Sequence, residues 1–229
     1  MTDSAPVLTF SLTIIYQTVT TKVRIRISDI LYRMLNEGFI FVGIAINAIG
    51  TIYYLKDTIK GKIKPNKVTF LMWFIAALVA FFAQVTQGVG IQSLVTLSFG
   101  LFPFSIFIAS FLNKKAYWKI SVFDSLCGVL SLIGLMLWQL TGIGNIAILF
   151  SIFAEGWATL PTVIKSYTHP ETELAWTYLA SVVGSIFALL TIRNYSFTNS
   201  SFVIFYTFEM FLVFIFSQFR IGKRITLKL

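Results

Sequence analysis

Three carboxylates, Asp124, Glu155 and Glu209, stand inside long apolar stretches of this 229-residue chain. Holding an ionisable side chain at hydrocarbon depth costs about 2.5–3.5 kcal/mol, so such groups usually line a polar path or pair with one another. No Lys or Arg shares the middle of a stretch with Glu155 or Glu209. Buried without a partner, each is expected to carry a proton, which points to proton coupling or a proton-dependent conformational switch. Asp124 lies nearer the end of its stretch, where water or Lys119 could reach it.

Polar residues recur around these acids at helical spacing. Ser151, Glu155, Thr159 and Thr162 follow at steps of four, four and three, which puts them on one face of a helix. Asn47, Thr51 and Tyr54 form a similar stripe, and Ser181, Gly184 and Ser185 a third. Such stripes could face a wet cavity, or could be the small and hydroxyl residues that let membrane helices approach and hydrogen-bond. Trp157 falls on a different face from Glu155, where it could shape a cavity or pack against lipid or a neighbouring helix. Pro103 and Pro161 each remove an amide hydrogen bond within a stretch and are candidate hinges, although membrane helices tolerate proline elsewhere too.

Other chemistries lack their residues. The single cysteine, Cys127, makes no internal disulfide or Cys-rich zinc site. The single histidine, His169, lies with Glu171 and Glu173 in what reads as a solvated loop. No Gly-x-Gly-Asp, Gly-x-Ser-Gly or His–Glu metal pattern occurs, so neither an enzyme nor a bound cofactor is expected.

The elements that position these residues follow from composition. The chain is 57% apolar and 12% charged, with a mean hydropathy of +0.83, 24 Phe, 9 Tyr and 5 Trp. A soluble domain carries about 25% charged residues. The expected fold is therefore an all-α membrane protein with lipid as its principal partner. A helix of about 20 apolar residues crosses the hydrocarbon core. Seven such spans lie near Gly38–Lys56, Val68–Gln87, Ile91–Leu112, Trp118–Leu140, Gly144–Ile164, Leu174–Ile192 and Phe202–Phe219. Their short loops make successive helices antiparallel neighbours. Trp73, Trp118, Trp138 and Trp176 lie near span ends, as an interfacial belt would place them.

Lysine and arginine set the orientation. The loops after spans 1, 3 and 5 and the C-terminal tail hold 13 of them, against 5 on the other side. The first set is expected to be cytoplasmic, with the N-terminus outside and the C-terminus inside. The net charge of +9 is then a topology signal and implies no nucleic-acid partner. Four of the five opposing charges fall in residues 1–37, which read neither as a span nor as a signal peptide. Two readings stand: translation from Met34, or an amphipathic surface segment built on Val23, Ile25, Ile27, Ile30 and Leu31.

Comparison of the chain with itself reveals a faint repeat. Lys60 and Pro65 recur as Lys165 and Pro170 at an offset of 105, and Gly50 recurs as Gly156 at 106. Spans 1–3 thus pair with spans 5–7, and the odd linker span makes the two triplets parallel, a transporter design. The expected organisation is an N-terminal extension (1–37), a first three-helix repeat (38–112), a linker helix (113–141), a second repeat (142–219) and a basic cytoplasmic tail (220–229).

The three-plus-one-plus-three count and the segment Thr159-Leu160-Pro161-Thr162-Val163-Ile164-Lys165-Ser166 resemble the PQ-loop and SWEET transporter superfamily. Lys56–Thr69 is also similar to a group of bacterial membrane proteins of that architecture. Span 5 has Pro161-Thr162 where the family has Pro-Gln. The resemblance implies a bacterial inner-membrane protein that moves a small solute between two triple-helix bundles. With no basic residue on the path, a neutral polar solute such as a sugar is expected, touched by Asn47, Thr51, Tyr54, Ser151, Glu155, Trp157, Thr159, Ser181 and Glu209. A ligand-binding or sorting receptor, or a structural membrane protein without a solute path, would suit the same fold.

Overall fold

The computed structural model describes residues 37–141 and 144–226; for 131, 134, 135, 137–141 and 224–226 it describes only the backbone. The chain divides into two units, Met1–Asn36 and Glu37–Leu229. The readings for the N-terminal extension, and the side chain of Trp138, lie outside the described residues.

Every regular element among those residues is helical. The order is α1 (Phe39–Ile59), α2 (Lys67–Thr86), α3 (Ser93–Ala109), α4 (Val122–Thr141), α5 (Gly144–Thr168), α6 (Ala175–Thr191), α7 (Phe197–Phe219) and a short α8 (Ile221–Thr226). Four of them, α1, α2, α5 and α7, are long and apolar enough to cross a membrane, while α3 and α6 are shorter apolar helices. Large apolar side chains such as Phe41, Ile52, Phe153 and Phe208 face outward, as a lipid surrounding favours. The fold fits a membrane location.

Capping explains where the helix ends differ from expectation. α4 starts at Val122 because Ser121 and Asp124 form a reciprocal box: the Asp124 amide donates to Ser121 Oγ at 3.1 Å, and the Ser121 amide to Asp124 Oδ2 at 2.6 Å. That leaves Trp118 in the preceding loop. α7 starts five residues earlier than read, where Ser196 Oγ accepts from the Asn199 amide. α5 runs through Pro161 to Thr168, so Lys165, read as a loop charge, is helical. Asn66 caps α2 with Oδ1 and donates from Nδ2 to Asp124 Oδ1 at 2.9 Å. The partner of Asp124 is thus Asn66, and the carboxylate is buried.

The helices pack in two groups. α3 contacts α1 and α2, and α7 contacts α5 and α6; across the groups α1 lies on α6 and α2 on α5. α4 lies against α2 and α5. The α1–α6 seam is made of small residues. A Cβ on Gly43 would stand 2.4 Å from the Gly184 carbonyl oxygen, and one on Gly50 would stand 2.7 Å from Ala180 Cβ. The glycines bring the backbones together, and Thr177 Oγ1 then donates to the Gly50 carbonyl at 2.9 Å. Gly156, the counterpart of Gly50 in the sequence repeat, instead faces Phe205 and Glu209 on α7. The two glycines therefore do different jobs.

The loops after α1, α3 and α5 meet at one, lysine-rich end. The Lys64 amide donates to the Thr172 carbonyl at 3.0 Å, and Asn113 Nδ2 to the Ile59 carbonyl at 2.7 Å. Gly61 turns there with φ +69°, where a Cβ would be 2.7 Å from Lys115 Cβ. At the opposite end Thr198 Oγ1 donates to Asn145 Oδ1 at 2.8 Å, and Gln84 Nε2 to the Thr198 carbonyl.

Candidate functional site

At mid-depth the packed helices assemble a polar layer. Asn47 on α1 and Ser181 on α6 are both buried, and Ser181 Oγ donates to Asn47 Oδ1 at 2.9 Å. Tyr206, from α7, lines the same small cavity as both and lies within electrostatic reach of Glu155 and Glu209. Tyr206 therefore lies on the cavity with the Asn47–Ser181 pair and near the two acids. Glu155 on α5 and Glu209 on α7 are electrostatic neighbours, at 0% and 4% exposure. Neither Glu155 oxygen has a hydrogen-bond partner, and Glu209 Oε2 has none. Thr159 donates to the Glu155 carbonyl of its own helix and accepts from Trp73 Nε1, both at 2.8 Å. No Lys, Arg or His among the described residues pairs with either acid.

A cavity of about 20 Å³ lies beside this layer, lined among others by Asn47, Thr51, Tyr54, Trp73, Ser181 and Tyr206. That is room for one water at most. Tyr206, which lines the cavity, stacks on Phe99 of α3 with ring centroids 3.7 Å apart. Pro103 lines the cavity from α3.

Two of the cavity's lining residues, Tyr54 and Tyr178, lead towards the lysine-rich end into a buried charged knot. Glu173, in the loop before α6, accepts from the Tyr54 hydroxyl at 2.7 Å and the Tyr178 hydroxyl at 2.6 Å on one oxygen. Its other oxygen meets Lys165 Nζ, which also donates to the Lys64 carbonyl. The Lys165 ammonium sits 4.8 Å from the Trp118 ring centre. Both charged side chains are essentially inaccessible to water, at 1% and 0% exposure. The knot ties α1, α5, α6 and two loops together with one neutralised ion pair.

The structure thus brings Asn47, Thr51, Tyr54 and Ser181 to the cavity, while Glu155 and Glu209 are buried outside its lining as electrostatic neighbours of each other. Ser151 is buried but spends its hydroxyl on the Ala147 carbonyl of its own helix. Trp157 lies on the outer face of α5 at 41% exposure, in a cleft between α5 and α7. Pro161 is buried inside α5. Of the tryptophans read as an interfacial belt, Trp73 is buried by its bond to Thr159, while Trp176 is 65% exposed.

Four participants escaped the sequence reading: Tyr206, Tyr178, Lys165 and Glu173. Tyr206 precedes Glu209 by three residues, a spacing that shares a helix face and could have flagged it. Outside the spans, Glu171 is drawn two ways: partial burial raises its carboxyl, while the Lys223 ammonium 2.7 Å away lowers it, leaving it below the ordinary carboxylate range. Among the described residues no three His, Cys, Asp or Glu side chains gather as metal ligands. No protein-family model, curated protein or solved structure matches this chain.

Proposed function

We propose that this protein is a small-solute transporter of the inner membrane, built as two parallel triplets, α1–α3 and α5–α7, joined by α4. The reading is supported by a symmetry in the packing. Exchanging the triplets turns the α1–α6 contact into α5–α2, α1–α3 into α5–α7, and α2–α3 into α6–α7. A path along the axis between such triplets is how repeat-built transporters open alternately to each side. The lysine-rich end is the cytoplasmic one, by the bias of Lys and Arg.

The observation that carries the reading is the polar layer around Tyr206. It gathers Asn47, Ser181 and Tyr206 on one small cavity, with the buried Glu155 and Glu209 within electrostatic reach of Tyr206. Buried acids without partners are costly, and a purely structural bundle gains nothing from retaining them. In a transporter they hold exchangeable protons. The Lys165–Glu173–Tyr54–Tyr178 knot is the cytoplasmic gate, and the Phe99–Tyr206 stack is the outer one. The solute itself is small, polar and uncharged, since the cavity wall carries hydroxyl and amide groups and no cation.

Uptake into proteoliposomes tests this, with labelled sugars, amino acids and vitamins and with or without a pH gradient. Saturable uptake that is lost in the Glu155→Gln/Glu209→Gln double variant is expected. Uptake of equal rate in that variant would remove the acids from the path. No uptake of any of these solutes by folded protein would contradict the transport reading.

A further inference from the structure

The outer surface carries a second feature built on the same acid. Between α5 and α7 lies a cleft of about 430 Å³, a volume suited to a small organic molecule. Phe153, Trp157, Phe205 and Phe208 wall it, and Glu209 and Thr159 are its polar groups. Phe153 and Phe208 are 54% and 57% exposed on its rim, so it opens sideways, where lipid chains would lie. Glu209 is 4% exposed, and its Oε2 has no hydrogen-bond partner. Gly156 keeps the floor open, since a Cβ there would stand 3.7 Å from Glu209 Oε1 and 3.1 Å from Phe205 Cζ.

We infer that this cleft binds a lipid-soluble organic cation, with the charge on Glu209 and the body among the aromatic rings. Three observations select that chemistry. An acid at the floor of an apolar cleft attracts a cation, and Trp and Phe faces stabilise one further. A sugar needs many hydrogen-bond partners, and this cleft offers two side chains. A phospholipid ammonium stays at the membrane surface, whereas Glu209 lies about 18 Å along α7 from one helix end and about 15 Å from the other, at 1.5 Å per residue. The cation must therefore come with its own lipid-soluble body. A second outer cleft, between α1 and α6, has an acid too, but Asp57 is paired with Lys62 at 3.6 Å and lies near the helix end.

Binding exchanges one proton for each monovalent cation: the carboxyl O–H bond breaks, the proton leaves to water, and the carboxylate holds the cation. The other titratable groups facing Glu209 are Glu155 on α5 and Tyr206 on α7. From the other elements packed on α7 come Tyr178 of α6 and, at the lysine-rich end, Lys165 and Tyr167 of α5, Lys67 of α2, Lys223 of α8 and Glu171 of the turn before α6. Lys165 is bound to Glu173 and lies ten residues from Glu155, about 15 Å along the helix.

The test is binding of tetraphenylphosphonium to the purified full chain in micelles, with proton release followed in weak buffer. Saturable binding that releases about one proton and tightens as pH rises is expected, because cation and proton compete for one oxygen. Glu209→Gln should weaken it by about thirtyfold or more, as loss of a buried charge partner does. Trp157→Ala, on the exposed face, should weaken it by up to about tenfold. Gly156→Ala should weaken it while keeping the acid, and Asp57→Asn should leave it unchanged. Absence of saturable binding, equal binding by folded Glu209→Gln, or equal binding of neutral triphenylphosphine oxide would overturn the inference. Binding without any solute flux would contradict the transport reading and leave this site standing; flux without cation binding would do the reverse.

Discussion

Lys165 and Glu173 form an ion pair that neither water nor salt can reach, and its stability depends on the two tyrosine hydroxyls and the Lys64 carbonyl that complete it. Removing one member of a buried pair costs about 3–5 kcal/mol, because the other charge is left uncompensated. Lys165→Met should therefore lower the thermal midpoint in detergent sharply. Lys165→Met combined with Glu173→Gln should recover part of the loss, whereas an equal or larger loss in the double variant would show that the pair is not the unit. Little of this knot was legible in the sequence. Lys165 follows Ile164, where the apolar run ends and the span reads as stopping, but the helix continues to Thr168. Glu173 sits in a stretch of polar residues and reads as solvated; its partner Tyr54 is 119 positions away, beyond any local pattern. The acids were legible because an unpaired carboxylate in an apolar stretch is costly wherever the chain folds.

At the scale of elements, the α1–α6 seam depends on backbones in contact. Gly43→Ala and Gly184→Ala would each place a methyl within about 2.5 Å of the facing carbonyl oxygen. The helices must then separate, at about 1–3 kcal/mol, as overpacking does elsewhere. Gly128→Ala meets only the side chain of Val68 and should be milder, which thermal unfolding of the variants checks. The α8 tail gives the pH-dependent case. Gly222 packs on the Tyr167 carbonyl, and Lys223 bonds Glu171 at 2.7 Å. Since Glu171 is held below the ordinary carboxylate range when folded, its contribution is present above that range and lost as pH falls through the folded value. A spin label at Ile221→Cys, with Cys127→Ala, should be immobile at neutral pH and mobile in acid. In Glu171→Gln it should be mobile at both. Helix positions were readable from hydropathy, since apolar runs of span length have few alternatives. Their ends were not, because caps such as Ser121–Asp124 and Ser196 act within one turn and shift a boundary by four or five residues.

Among the described residues the cavity between the helices is small, about 20 Å³. The polar layer at Asn47, Ser181 and Tyr206 is flanked by the knot, through Tyr54 and Tyr178, and by the Phe99–Tyr206 stack. A transporter must release one of these barriers, and the knot is the one made of charge and hydroxyl groups, which water can replace. Its weakening should expose the cavity to the lysine-rich side alone. Thr51 lines the cavity at 4% exposure, so Thr51→Cys in a Cys127→Ala background reports directly on access. In oriented proteoliposomes a small charged methanethiosulfonate should react slowly from both sides while the knot is intact. With Glu173→Gln added, the rate from the lysine-rich side should rise by about tenfold or more, with no change from the other side. Equal protection with and without Glu173, or new reactivity from the opposite side, would contradict the gate and with it the account of an alternately opened path.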